Sequence, residues 1–397
     1  MSNLLSISNR MKLRNILKAA VLCGIVISLS TACGNGSKPG QYGYKELLSN
    51  ASGITFDDVQ IVELAKDVVM GPVRKIKAAD SLVFVCTDDN LYSFHLNGSL
   101  NAVYGMQGRA ANEYLYLGAF FVDAAAKQVC LIDATQGKLL YYSYDGTFIK
   151  KQQFESLSAK LSLMYDASLL PDGRLFAHNR IYNDNGLLFS IIDLNDGTAT
   201  DFKSVPFKTA NTAEFCGEHL CDLYDGHLHY ILPFDPNIYL FNGNEGSVCR
   251  EIPGVEKVLT AKDLEEITDY NFFKTYNMYN EGEFVGFSGL YETDSLIFLN
   301  ELETLNYYII DKNTGVQRRY TYSYDEEELQ TIPFQKIRAS YKDWLIGVVD
   351  PSLITMISED FEDNTSDPFL NKVHSVAGRI KDDSNPCLIF YKIKSIQ

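Results

Sequence analysis

The chain has 397 residues, 46% of them hydrophobic, with 51 Asp and Glu against 35 Lys and Arg for a formal net charge of −16. A surface this acidic repels phosphate, which excludes nucleic acid as a partner and disfavours wide contact with anionic lipid. The length is large for a single core, but β-rich closed folds reach it as one domain.

The N-terminus fixes the compartment. Arg10, Lys12, Arg14 and Lys18 carry no acid among them, residues 19–29 (AAVLCGIVISL) are apolar, and Ser30, Thr31 and Ala32 lead to Cys33. A basic region, a short apolar core and small residues before a cut predict a signal peptide over residues 1–32. The apolar run is well short of the roughly 20 residues that span a bilayer as a helix. MKLRNILKAA, from Met11, is itself a complete basic region and offers a second start. The segment resembles a bacterial lipoprotein signal, and the resemblance implies lipidation at Cys33. It departs from the pattern at Ser30, where leucine is usual; Leu29 is one place further back. Residues 33–54 read as lipidated cysteine and flexible tether. Because residues 34–43 hold no Asp or Glu, the reading leans to the periplasmic leaflet. Cleavage would leave 31 basic against 51 acidic residues, about −20.

The rest of the chain, residues 55–397, repeats. SLVFVCTDDNLYSFHLNGSL (81–100), KQVCLIDATQGKLLYYSYDGTFIKK (127–151), GRLFAHNRIYNDNGLLFSIIDLNDGTATDF (173–202), GHLHYILPFDPNIYLFNGNEGSVCREI (226–252) and DSLIFLNELETLNYYIIDKNTGVQRRY (294–320) each hold two β-like runs and a glycine turn. The chemistry is that of tight hairpins. The turn glycines, read as Gly98, Gly146, Gly197, Gly246 and Gly315, are 48, 51, 49 and 69 residues apart. The last gap contains AKDLEEITDYNFFKTYNMYN (261–280), whose apolar spacing predicts one short helical insert. A sixth unit follows in KIRASYKDWLIGVV (336–349), SLITMI (352–357) and NPCLIFYKIK (385–394). A period near 49 with four short strands per unit predicts an all-β, six-bladed β-propeller with four-stranded antiparallel blades, since a sandwich keeps no such period. A ring must join its ends. DVQIVELA (58–65) alternates apolar and polar residues and has no partner of its own, so it is expected to pair antiparallel with residues near 387–393 and close the last blade.

The signal, the segment GMQGRAANEYLYLGAFFVD (105–123) and the ending NPCLIFYKIK together resemble the six-bladed propeller lipoproteins of Gram-negative envelopes, a TolB-like class. Gly108, Arg109, Glu113 and Tyr114 fit that family's G-x-x-G-R-G-P-x-E-[YF] segment, whereas Ala110 and Ala111 replace its Gly-Pro. The loop is not a phosphate cradle, because an apolar β-run and no helix follows it. It reads as a blade-to-blade crossover in which Arg109 and Glu113 hydrogen-bond, with direct ligand contact as the lesser alternative.

Nothing else in the chain spells out chemistry. There is no G-x-S-x-G and no H-E-x-x-H. His227 and His229 share a strand face without a third ligand, and DLNDGTATD (193–201) misses the calcium-loop pattern at its fifth position. Cys216 and Cys221 flank His219 in CGEHLC; the spacing lacks the second pair that zinc needs, and a local disulfide stays open. Cys86, Cys130, Cys249 and Cys387 read as small buried hydrophobes. No cofactor and no metal is expected. Among 25 tyrosines, Tyr114, Tyr116, Tyr182, Tyr276 and Tyr279 fall on connectors and form a candidate recognition face for carbohydrate, peptide or envelope protein. The leading reading is a membrane-anchored envelope binding module. The alternative is a propeller hydrolase or lyase, which would show as charged and histidine side chains converging on one mouth of the channel.

Overall fold

The computed structural model describes residues 54–179, 186–205, 218–252, 255–260, 262–263, 283–302, 306–320, 337–360, 368–381 and 384–396. They form six four-stranded antiparallel sheets arranged as a ring. The chain enters through β1 (Ile54–Glu63) and then builds the blades in order. Blade one is β2 (Lys75–Ala79), β3 (Leu82–Cys86), β4 (Leu91–His95) and β5 (Leu100–Tyr104); blade two is β6 (Leu117–Asp123), β7 (Gln128–Asp133), β8 (Lys138–Ser143) and β9 (Phe148–Gln153). Blade three is β10 (Met164–Leu169), β11 (Arg174–Asn179), β12 (Leu187–Asp193) and β13 (Ala199–Ser204); blade four is β14 (Cys221–Tyr224), β15 (His227–Ile231), β16 (Asn237–Phe241) and β17 (Gly246–Glu251). Blade five is β18 (Phe287–Glu292), β19 (Leu296–Glu301), β20 (Tyr307–Asp311) and β21 (Gln317–Tyr320). Blade six is β22 (Ile337–Tyr341), β23 (Trp344–Val349), β24 (Cys387–Ile396) and, as its fourth strand, β1.

Burial follows the architecture. The second and third strands of a blade are covered on both faces by neighbouring blades, so LVFVC of β3 and QVCLID of β7 are almost wholly buried. The fourth strand lies on the rim, and FIKKQQ of β9 and GSVCRE of β17 stay polar and exposed. Aromatic rings fill the seams. Phe84, Tyr104 and Tyr142 pack between blades one and two, and Phe176 and Phe189 meet Tyr230 between blades three and four.

The expected closure is present. β1 runs antiparallel to β24 from Ile54 opposite Ile396 to Glu63 opposite Cys387, with buried Val59 facing Tyr391. The asparagine of the Asn-Pro ending reinforces it: Asn385 Nδ2 donates to the carbonyls of Ala65 and Val68 at 2.7 Å, and its Oδ1 accepts the Met70 N–H at 3.1 Å.

Two details of the sequence reading change. In blade four the left-handed turn residue is Gly243 (φ +99°), not Gly246, which opens β17 with its Cα against the Tyr230 ring. SLITMI is not strand: α2 (Pro351–Asp360) takes it, following α1 (Ser158–Leu163) and preceding α3 (Pro368–Ala377). Asp350 accepts the Ser352 N–H and hydroxyl in front of Pro351, a helix start with proline in the first turn. Ile354 then buries against Val373 and Val376, beneath β1 and β24. The insert at 261–280 lies outside the described residues except for Lys262 and Asp263, which are helical. Among the described residues no helix is long and apolar enough to cross a membrane.

Candidate functional site

The first strand of each blade lies innermost, and β2, β10, β14 and β22 bring polar side chains to the axis. Alternation along a strand explains how. In β2, Ile76 is buried in the blade while Lys75 and Lys77 share the opposite face. Because each blade has four strands, every crossover returns to the mouth where the first strands begin. The axial cluster runs along the first strands, from Lys75 and Arg338 near the starts of β2 and β22 to Ser340 and Glu292 near the ends of β22 and β18.

Its geometry joins blades that are not neighbours. Lys75 and Lys77 of blade one both reach Asp166 of blade three, at 3.1 and 2.9 Å, and each also donates to a β10 carbonyl, Tyr165 at 3.0 Å and Ala167 at 2.9 Å. On the other side, Asp222 of blade four accepts the Ser340 hydroxyl of blade six at 3.2 Å and the Glu292 N–H at 2.7 Å, and Arg338 of blade six pairs with Glu218. His219 stands between, Nδ1 3.4 Å from Asp166 and Nε2 3.6 Å from Asp222, its ring stacked on Tyr291. The His219 backbone bonds along β18, donating to the Ser288 carbonyl at 3.1 Å and accepting the Leu290 N–H at 2.8 Å, and Gly289 leaves room for the Tyr291 ring on which His219 stacks.

Burial shapes the charges. Desolvation lowers the Lys75 ammonium to about 8 despite Asp166, with Lys77 adding like-charge repulsion. Desolvation also opposes the Asp166 carboxylate, yet the two lysines and His219 outweigh it and hold its pKa well below the usual range. For His219, burial opposes the charged ring, but the facing Asp166 and Asp222 carboxylates win and raise its pKa. His178, opposite Asp166 on β11, is pushed down to about 3 by burial and by Lys75. A second group lies alongside: His229 Nδ1 meets Glu292 at 2.6 Å, and Lys312 meets the other carboxylate oxygen at 2.9 Å.

The crossover 105–116 flanks the same mouth. Tyr114 is buried and its hydroxyl donates to the Asp89 carbonyl at 2.6 Å, while Asp133 of blade two accepts the Leu115 N–H at 2.8 Å. The buried Lys138 ammonium donates to the Glu113 carbonyl, and the Tyr142 hydroxyl to that of Asn112. Of the two side chains expected to hydrogen-bond across the crossover, Glu113 does so, and among the described residues Arg109 makes no such bond. Glu113 turns inward to accept the Ala110 N–H at 2.7 Å over Gly108, where a Cβ would collide with it, and Arg109 is exposed. Tyr116 is 40% exposed and its hydroxyl accepts from Arg74. Tyr182, Tyr276, Tyr279, Cys216 and Cys33 lie outside the described residues.

His227 and His229 do not act together: His227 serves its own turn through the Asp225 carbonyl, and His229 serves Glu292. Among the described residues no three His, Cys, Asp or Glu side chains are placed to hold a metal. An open cleft of about 600 Å³ lies away from the axis between blades three and four, lined by residues such as Arg174, Asp201 and Lys203. Its Arg174 and Asp201 are already in surface ion pairs with Asp172 and Lys160. Sequence reasoning missed Lys75, Lys77, Asp166, Glu218, Asp222, Arg338 and Ser340. The available signal was polar residues interrupting the first strand of a unit, as in KIKAA, CDLY and IRASY.

No curated protein matches the chain. Among solved structures, a candidate exported protein of Bacteroides fragilis is similar at a TM-score of 0.63 with 19% identity, over 86% of this chain and 97% of its own. A member of the DUF4221 family from Bacteroides vulgatus is similar at a TM-score of 0.51 with 8% identity, over the same shares. At such identities the likeness is one of fold. Residues 45–392 match the model of the family described as "Domain of unknown function (DUF4934)", a span that takes in nearly the whole ring, and the chain belongs to that family.

Proposed function

We propose that the protein is exported, anchored by a lipid on Cys33 on the periplasmic side of a membrane, and serves as an envelope binding module. Its ligand, a carbohydrate, peptide or envelope protein, is taken on the mouth where the first strands begin. The observation that supports binding over catalysis is the pairing of the axial groups: Lys75 and Lys77 with Asp166, Arg338 with Glu218, Ser340 with Asp222. Groups committed to one another hold a wall together. A catalytic nucleophile and its base must instead point at substrate. A fatty-acid probe should label the full chain and leave Cys33→Ala unlabelled and in the soluble fraction; equal labelling of both removes the anchor. Glycan and peptide arrays probed with the full chain test the binding arm, which fails if no class is retained.

A second reading, a hydrolase or lyase, draws on Lys75, whose amine is brought to about 8 beside Tyr165 at the channel wall. It predicts turnover of ester or glycoside substrates that Lys75→Met abolishes while the fold persists.

A further inference from the structure

The axial contacts divide into two sets. One spans blades one to three, passing over blade two: Lys75 and Lys77 to Asp166. The other joins blades four, five and six: Asp222 to Ser340 and to the Glu292 N–H, and Glu218 to Arg338. His219 faces both sets at once, with one ring nitrogen toward Asp166 and the other toward Asp222. We propose that His219 is a proton-operated latch, which ties the two three-blade halves together at the axis when its imidazole is charged and releases one of them when it is neutral.

A charged imidazole has two N–H groups and serves both carboxylates; a neutral one has a single N–H and must turn a lone pair toward the other carboxylate. Distances of 3.4 and 3.6 Å are ion-pair contacts, so the charge matters more than a tight hydrogen bond. From β10 and β14 come Asp166 and Asp222, which favour the proton; from β2 come Lys75 and Lys77, which oppose it but spend their charge on Asp166. On β11, His178 is held neutral by burial and by Lys75 and adds no charge of its own. Tyr291 of β18 stacks as an uncharged ring, its own ionisation pushed far up by burial. Glu218, next in the chain, is engaged by Arg338 of β22. The sum favours charge, in line with the raised pKa of His219. The latch does not hold the halves alone, because Phe176, Phe189 and Tyr230 pack blades three and four further out and Phe94 and Phe390 lie in the apolar layer shared by blades one and six. It governs the wall of the mouth, whatever ligand lies there.

The sign follows from linkage. A histidine whose folded pKa is raised contributes stability in full below its unfolded value near 6.5, and loses it as pH rises through the folded pKa. The test compares thermal melting of the full chain and of His219→Gln at pH 6 and pH 9. The glutamine amide can serve one carboxylate at either pH. The variant should melt about 2 °C or more below wild type at pH 6, and the gap should shrink by at least half at pH 9. An equal gap at both values overturns the latch. Should the variant fail to fold, histidine NMR on the wild-type chain decides. The His219 ring should half-titrate above about 6.5, and lower in Asp222→Asn than in wild type; titration at or below 6.5 overturns it.

Discussion

Closure of the ring can be tested at Val59. The residue is 1% exposed at the middle of β1, opposite the fully buried Tyr391 and in one apolar layer with Ile389 and Ile393. Val59→Ala removes two methyl-sized groups, worth about 0.8 kcal/mol each in transfer. The space left behind brings the cost to about 2–3 kcal/mol. If about 340 residues melt together, at about 2.1 cal/mol/K of unfolding entropy each, the midpoint falls by about 3–4 °C. Scanning calorimetry of the full chain should show one peak, shifted as a whole. Val248→Ala, on the exposed rim strand β17, is the control and should move it by less than about 1 °C. The closure is refuted if Val59→Ala melts within about 1 °C of wild type. It is refuted equally if a small early peak separates from the main one, because β1 would then be an appendage and not the fourth strand of blade six.

The crossover predicts an asymmetry between neighbours. Gly108→Ala puts a Cβ where Glu113 now bonds the Ala110 N–H and should cost about 1 kcal/mol, whereas Arg109→Ala, at an exposed side chain, should stay within about 0.5 kcal/mol; a larger loss from the arginine in thermal melts would reverse the assignment. His178 sets an acid limit. Its folded pKa of about 3 lies below the unfolded value, so stability present above pH 6.5 is lost as pH falls, about 2 kcal/mol between pH 7 and pH 5. Urea midpoints at the two pH values should show that loss in wild type and a smaller one in His178→Gln; equal losses would mean that other groups carry it. With His219 acting in the opposite sense on the alkaline side, the axis should be firmest near pH 6.5.

Blade number and closure were legible because both are written locally. Turn glycines such as Gly98, Gly146, Gly197 and Gly315 adopt positive φ at a regular period, and DVQIVELA alternates as a half-covered strand must. The fourth turn slipped by three residues because two glycines serve different ends there, Gly243 the turn and Gly246 the close approach of Tyr230. SLITMI is apolar and β-branched like a strand. Its helix is announced only by Asp350 and Pro351 before it and by the partner surface of Val373 and Val376. The axial cluster was not legible at all. Lys75, Asp166, His219 and Arg338 span more than 260 positions of sequence and meet only because the ring returns on itself. In the sequence His219 stands out for the cysteines beside it in CGEHLC, and not for the carboxylates that face it.

The pairing of Ile54 with Ile396 also means that the ring begins and ends at one point on its rim. Such a molecule is a circle that has been cut once, and the cut need not stay where it is. A short linker joining residue 396 to residue 54 would let new ends be placed in another rim hairpin, for example between β8 and β9 at Gly146, where the chain already turns in solvent. Every blade would keep its four strands, but the mended strand would pass from blade six to blade two. A tether such as the lipid proposed on Cys33 would then meet a different edge of the ring, so moving the cut would test whether an anchor sets the orientation of the mouth.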